Sequence, residues 1–308
     1  MIAHILTKNN EKTIQKTIES LAHCDQIVIN DLGSKDNTKQ IAKPHRLILS
    51  TEKPRNEARN ESAKTKGLNL MIEPWEIVVK GHKPDFKGKY GYVSIIENNT
   101  IRKEVRYWRN SATFINPAFE KIDTEEAEFT ETMIYSFGRN DLDDLELIVN
   151  KWKSDNITAI APHYYYASIM LMKGDWDAFM KASEHYMFLD KSQSMSAIMN
   201  KYYYALASLI HKKEYKPTLQ NINLCLCKAP LMAEFWCLQA DVYYHLLKKF
   251  DVAKSFYENA IIMGSQRLKK DVWPMEISKY KEYPTKMINS CSKIMKASDF
   301  YSKSQNDH

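Results

Sequence analysis

The sequence predicts an α/β unit followed by an all-α unit, and three observations carry that prediction. First, three short apolar runs, residues 2–6, 26–31 and 46–49, alternate with segments of helical character within the first 50 positions. Strand, helix, strand, helix, strand in so short a space is the signature of right-handed βαβ units around a parallel sheet. Second, from about Asp141 the strand-like runs cease and helical periodicity is continuous. Third, this second half repeats: Tyr164-Tyr165-Tyr166-Ala167 recurs as Tyr202-Tyr203-Tyr204-Ala205. Self-similarity at such a period indicates stacked supersecondary units.

The apolar run 2–6 leads into Thr7-Lys8-Asn9-Asn10-Glu11. Ile14, Ile18 and Leu21 then fall at spacings of four and three, one face of a helix over about 11–21. Gln26-Ile27-Val28-Ile29-Asn30-Asp31 is a β-branched run ended by turn formers, so it reads as a buried strand that stops abruptly. Ligands of open α/β sheets bind outside the carboxyl ends of the strands. Asp31 therefore stands where a ligand would, and Gly33 lets the backbone turn tightly. Asp36-Asn37-Thr38 is suited to cap a second helix, and 46–49 is a third strand. The pairs Arg55-Asn56 and Arg59-Asn60 lie four apart, on one face of a helix. A solvated face with Glu57 and Glu61 as partners would give the same pattern. Residues 68–72 form a fourth strand ending in Glu73-Pro74-Trp75-Glu76, whose two carboxylates suit a divalent cation. No Gly-x-Gly-x-x-Gly is present, which weighs against a dinucleotide.

In the second half, each tyrosine triplet is followed by a turn and an aromatic: Lys173-Gly174-Asp175-Trp176, then Lys212-Lys213-Glu214-Tyr215. A third unit runs from Phe235 through Tyr243 and Phe250 to Ala253, Tyr257 and Ala260. Ala167, Ala205 and Ala240 are spaced 38 and 35 apart. This resembles tetratricopeptide repeats, whose period is about 34 residues with small residues where paired helices touch. The tyrosines are expected to be packing aromatics, the alternative being a groove that holds an acceptor by stacking. Met287, Ile288, Cys291, Ile294 and Met295 mark a terminal capping helix.

Over residues 2–122 the chain resembles the family 2 glycosyltransferases of the GT-A fold. Five motifs in order carry the resemblance. They are the Thr7 to Glu11 segment, the run Asp31, Gly33, Ser34, Asp36 and Thr38, the Arg-Asn helix, the strand ending at Glu73, and Lys103-Glu104-Val105-Arg106-Tyr107-Trp108-Arg109. Phe119-Glu120 stands where that family has His-Glu. The resemblance implies a GT-A domain over 1–135 and a tetratricopeptide-like domain over 136–308. It implies that Thr7, Asn9, Glu11 and Asp31 hold the base and ribose of a sugar nucleotide, usually a uridine diphosphate sugar. Arg55 or Arg59 would reach the ribose or diphosphate, where a forked guanidinium suits phosphate oxygens. Glu120 would be the base of an inverting transfer, with Arg106 and Arg109 neutralising the leaving diphosphate. At the family's Asp-x-Asp position, Glu73 takes the first place and Trp75 the second, and an indole is no metal ligand. Glu73 and Glu76 then hold Mg²⁺ or Mn²⁺ in a shifted geometry, or the metal is weak or absent.

The 308 residues are 44% hydrophobic and 27% charged, which gives a substantial core and excludes long disorder. A net charge of +6 suits a phosphate-bearing ligand but is too small to indicate nucleic-acid binding. Five irregularly spaced cysteines do not make a disulfide framework. No apolar run approaches the roughly 20 residues of a membrane helix, and no leader opens the sequence, so a soluble cytoplasmic protein is expected. The expected activity is glycosyl transfer to a macromolecular acceptor: a protein, peptide, saccharide or modified DNA. Self-association through the repeats is expected too. The alternatives are a catalytically degenerate transferase acting as a binding scaffold, or a DNA-modifying glycosyltransferase.

Overall fold

The computed structural model describes residues 1–51, 53–124, 126–267 and 271–306, with 299–306 described through their backbone alone. The chain divides into two compact units, Met1–Asp155 and Asn156–His308. The division thus falls after the helix that follows the sheet, some way beyond residue 135.

The first unit begins as expected: β1 (Ile2–Thr7), α1 (Ile14–Ser20), β2 (Gln26–Asp31), α2 (Thr38–Ala42), β3 (Arg46–Leu49), α3 (Arg55–Ser62) and β4 (Leu68–Ile72). Six more strands follow: β5 (Glu76–Lys80), β6 (Tyr90–Glu97), β7 (Thr100–Arg109), the short β8 (Phe114–Ile115) and β9 (Lys121–Ile122), and β10 (Glu128–Ser136). Helix α4 (Leu142–Asp155) closes the unit. Among the described residues these strands make one mixed sheet in the order β3-β2-β1-β4-β7-β6-β10-β5, with β8 and β9 a separate hairpin. Strands β3, β2, β1 and β4 are mutually parallel, and β7 runs antiparallel to β4. Their carboxyl ends therefore lie together at one edge, where Thr7, Asp31 and Glu73 are found.

Side chains alternate across a strand, and the two faces of β4 build two cores. Leu70 and Ile72 pack with Ile5, Ile14, Leu21, Ile29, Ile95 and Tyr107. Met71 packs on the other side with Ala63, Trp108, Phe114 and Ile122.

The second unit is helical: α5 (Ala161–Lys173), α6 (Trp176–Leu189), α7 (Met195–Ala207), α8 (Tyr215–Lys228), α9 (Ala233–Asp241), α10 (Phe250–Ser265) and α11 (Glu282–Asn306). Helices α7 and α9 each run on into one π turn, Ser208–Lys212 and Val242–Leu246. Consecutive helices pair as hairpins, α5 with α6, α7 with α8 and α9 with α10, and α11 lies against α10. Asp175 and Ser194 start α6 and α7 by accepting the amide three residues on, at 3.0 and 3.2 Å. Ala205 and Ala240 are fully buried where helices meet. Tyr202 packs on Phe235 at 5.2 Å between centroids, so the tyrosine serves the core. Asp241 accepts from the hydroxyls of Tyr257 and Tyr283 at 2.5 and 2.6 Å, pinning α9 to α10 and α11. Cys225, Cys237 and Cys291 are buried free thiols. Among the described residues no helix is long and apolar enough to cross a membrane.

Candidate functional site

At the carboxyl edge the loops after β1 and β2 are laced together by their own polar groups. The Asn9 amide donates to Ser34 Oγ at 2.9 Å, and the Lys35 amide donates to Asn9 Oδ1 at 2.8 Å. The Asn37 amide donates to Glu11 Oε2 at 2.9 Å, the Glu11 amide to Asp36 at 3.1 Å, and Thr7 Oγ1 to Asn10 Oδ1 at 2.9 Å. Asp31 is fully buried. Its Oδ1 accepts the Gly33 and Ser34 amides at 2.8 Å, and its Oδ2 accepts the Ser34 hydroxyl at 2.5 Å. Gly33 has φ +96°, and a Cβ there would meet Thr51 Cγ2 at 2.7 Å, so the turn requires glycine. In this arrangement Asn9 and Glu11 hold the two loops in register, Thr7 braces the β1 loop through Asn10, and Asp31 closes the β2 turn.

Beside it, at the end of β4, the remaining predicted residues converge in a buried ion-pair cluster. Arg59 Nη2 lies 2.5 Å from Glu73 Oε1, and its Nε lies 3.4 Å from Glu120 Oε2. Arg55 Nε pairs with Glu120 Oε1, and Arg55 Nη1 is 3.3 Å from Asp141. Arg106 Nη2 reaches Glu76 at 3.2 Å and Glu104 at 2.8 Å. Arg102 continues the ladder to Glu104 and Glu97, both at 2.7 Å. Arg55, Arg59, Glu73, Glu76, Arg106 and Glu120 all keep 8% exposure or less. The backbone supports this placement. Between β6 and β7 the register shifts at Gly91/Tyr92, leaving Arg106 as the extra residue of a bulge. Bulges re-aim side chains beside sites. Phe119, just before Glu120, has φ +52°, an outlier for a bulky residue.

Within the cluster burial and pairing oppose one another. Burial pushes the Glu76 carboxyl up, against the pull of Arg106. Burial acts the same way on Glu120, but Arg55 and then Arg59 outweigh it and hold that carboxyl below its usual range. Glu104, between Arg106 and Arg102, is held down to about 2.

The residues expected to hold a cation do not fit one. Glu76 Oε2 accepts the Glu73 amide at 2.9 Å, and Oε1 faces Arg106 and Arg102. Glu73 Oε1 faces Arg59 and, at 3.8 Å, Arg106. A divalent ion there would sit against the guanidiniums of Arg59, Arg102 and Arg106, and Trp75, between the two acids, is a core residue 2% exposed. Among the described residues no three His, Cys, Asp or Glu side chains are grouped to bind a metal.

Arg109 stands apart from the cluster. Its Nη2 donates to the Phe86 carbonyl at 2.8 Å and its guanidinium stacks on the Phe86 ring, on the Tyr107 side of β7. Arg102, Glu104, Arg139 and Asp141 belong to the cluster but were not among the expected residues. The spacing Arg102-x-Glu104-x-Arg106, period two on one strand face, is the signal that points to the first two.

No family model matches the chain, and no curated protein matches it. Solved structures to which it is similar include MamA 41-end from Desulfovibrio magneticus RS-1, 15% identical with TM-score 0.41 over 55% of this chain and 86% of that one. A MamA RS-1 ArsTM double mutant is 14% identical, TM-score 0.39, over 54% and 88% of the two chains. A crystal structure of MamA is 13% identical, TM-score 0.36, over 55% and 92%. These findings correct the family assignment. Membership of the family 2 glycosyltransferases has no family model or curated relative behind it, and these neighbours are MamA. The correction has a residue-level counterpart in the buried Trp75 and in Glu73 and Glu76, turned toward arginines.

Proposed function

We propose that the α/β unit, a GT-A-like arrangement of strands, binds a nucleotide-activated sugar and transfers its glycosyl group to a hydroxyl of a macromolecular acceptor. A uridine diphosphate sugar is the first donor to test. Guanidinium groups take the place of a metal ion. The observation that carries this reading is the convergence of Arg55, Arg59, Glu73, Glu76, Arg106 and Glu120, drawn from positions up to 65 apart, at the carboxyl end of a central strand. Nη2 of Arg55 and Nη1 of Arg106 are buried without a hydrogen-bond partner among the described residues. Buried donors of that kind are costly unless a ligand uses them. In the reaction the acceptor oxygen attacks the anomeric carbon and its proton passes to Glu120. As that C–O bond forms, the bond from the anomeric carbon to the diphosphate oxygen breaks, and its electron pair leaves with the nucleoside diphosphate. Arg55, Arg59 and Arg106 neutralise the departing charge. Drawn toward the diphosphate, Arg55 and Arg59 release Glu120, whose proton affinity then rises. The helical unit, read as tetratricopeptide-like from its three hairpins and terminal helix, presents the acceptor.

A second reading, a non-catalytic scaffold, is favoured by the complete burial of Glu76 and Asp31. One experiment separates them. The whole chain is incubated with several uridine diphosphate sugars, with and without chelator, and release of uridine diphosphate is followed beside calorimetric binding. The expected result is slow release that chelator does not abolish. Glu120→Gln should lower it by roughly 10²–10⁴-fold while binding persists. Neither binding nor release with any donor would give the scaffold reading.

A further inference from the structure

The segment from Phe137 to Asp144, the loop after β10 together with the first turn of α4, crosses the carboxyl edge of the sheet. Its contacts lie far away in the sequence. The Phe137 amide donates to the Trp75 carbonyl at 2.9 Å. The Arg139 guanidinium sits over the rings of both Trp75 and Phe119, at 5.1 and 4.8 Å. Asn140 Oδ1 accepts from Asn10 Nδ2 at 2.9 Å, and Asp144 pairs with Lys8 at 2.8 Å. Asp141 is gripped from two sides: bidentately by Arg139 at 2.9 and 3.0 Å, and by Arg55 Nη1 at 3.3 Å.

Two features set this segment apart from what it covers. Apart from the Asp141 side chain, which keeps only 8% exposure against Arg55, residues 137–144 are not buried, although Asn10, Arg55 and Glu120 beneath them are. Phe137 leaves 46% of its surface exposed. The segment is thus held almost wholly by polar and cation–π contacts, and segments without buried apolar contacts open at low free energy. Its second residue is Gly138, φ +92°, where an added Cβ would meet nothing closer than 4.0 Å. That left-handed, uncrowded position is a natural place for the backbone to pivot.

We propose that residues 137–144 form an autoinhibitory strap, in which the Asp141 carboxylate on Arg55 stands in for the diphosphate of a nucleotide ligand and must be displaced for that ligand to bind. This rests on the reading above that Arg55 receives the diphosphate. A carboxylate and a phosphate each offer a guanidinium a pair of anionic acceptor oxygens. The strap and the ligand therefore compete for one set of donors. Apparent affinity falls by the fraction of molecules in which the strap is open.

The test uses the whole chain, with uridine diphosphate and inorganic pyrophosphate as probes, in wild type, Asp141→Asn and Asp144→Asn. Asp141→Asn keeps the shape and removes the charge. Asp144→Asn removes only the half-exposed bridge to Lys8. Calorimetry gives affinity, and hydrogen exchange of the 137–144 amides reports the strap itself. If the inference holds, Asp141→Asn binds uridine diphosphate about tenfold more tightly or better. Asp144→Asn shifts in the same direction, and adding the probe to wild type speeds exchange across 137–144. Equal or weaker binding by Asp141→Asn, with exchange in wild type unchanged by bound probe, overturns the strap and leaves the ligand site standing. No binding of either probe by any of the three proteins overturns both.

Discussion

Arg59 is the residue through which the buried cluster is best interrogated. It is 3% exposed and is the only cation within 3 Å of Glu73 among the described residues. Arg59→Met keeps most of the apolar stem and removes the charge. Glu73 is then left with Arg106 at 3.8 Å, while Glu120 retains Arg55. Breaking a buried pair by deleting one partner costs about 3–5 kcal/mol, because the other charge remains out of water. A pair 4 Å apart at an effective dielectric of 20 is worth about 4 kcal/mol, the same range. For a unit of this size each kcal/mol moves the melting temperature by about 2–4 °C, so the loss should be about 6–20 °C. The readout is native-state hydrogen exchange of the β1 and β4 amides in the whole chain, which separates this unit from the helical one. Adding Glu73→Met should recover most of the loss, since apolar replacement of a whole buried pair is close to neutral. A cost below about 1 kcal/mol for Arg59→Met, the value of an exposed pair, would refute the cluster as a desolvated one.

Two further predictions concern acid and packing. Glu104 and Glu120 are held below the 4.5 of an unfolded glutamate, so their stabilising contribution is present above pH 4.5 and lost as pH falls through their lowered values, about 2 for Glu104. Glu76, raised by burial, has the opposite sign and offsets part of this. Glu104 leaves 38% of its side chain to solvent, so the larger share falls on Glu120. The urea midpoint of the β4 amides should drop on acidification below pH 4.5, and a rise would contradict the pairing. In the helical unit, Ala240→Leu should destabilise by about 1–3 kcal/mol, because Ala240 is fully buried among Ala253, Tyr257 and Ala260. Far-ultraviolet thermal melts measure it, and an unchanged midpoint would mean that α9 and α10 do not touch there.

Much of the first 72 residues was legible because β1, β2 and β4 are buried almost throughout and mostly apolar, and the half-exposed β3 is still a short apolar run after Arg46. Helix α1 was legible from Ile14, Ile18 and Leu21 alone. The strands after β4 were not. Strand β7 reads Thr-Ile-Arg-Lys-Glu-Val-Arg-Tyr-Trp-Arg, and its charges mask the period-two pattern until their partners are known. Arg102, Glu104 and Arg106 line one face, yet besides Glu104 the acids that pair with Arg106 are Glu73 and Glu76, from the end of β4 and the start of β5. Asp141 was illegible for the same reason at greater range: nothing near it in sequence shows that it meets Arg55. Arg109 illustrates the converse. A motif grouped it with Arg106, but three positions along a strand is an odd step, and it turned to Phe86 instead.

The helical unit shows how packing writes itself into sequence more plainly than chemistry does. Ala167, Ala205 and Ala240 are small because a neighbouring helix occupies the space a larger side chain would need. That constraint is local, repeated and independent of any ligand. By contrast, the acids at the β4 end serve either a cation or a guanidinium with the same side chains, and sequence alone does not distinguish them. What distinguishes them is the placement of Arg59 and Arg106 within hydrogen-bonding reach of Glu73 and Glu76, respectively. Under the proposed function these arginines supply the positive charge beside the strand ends. A diphosphate would find guanidinium donors there, and Asp141 already has one of them.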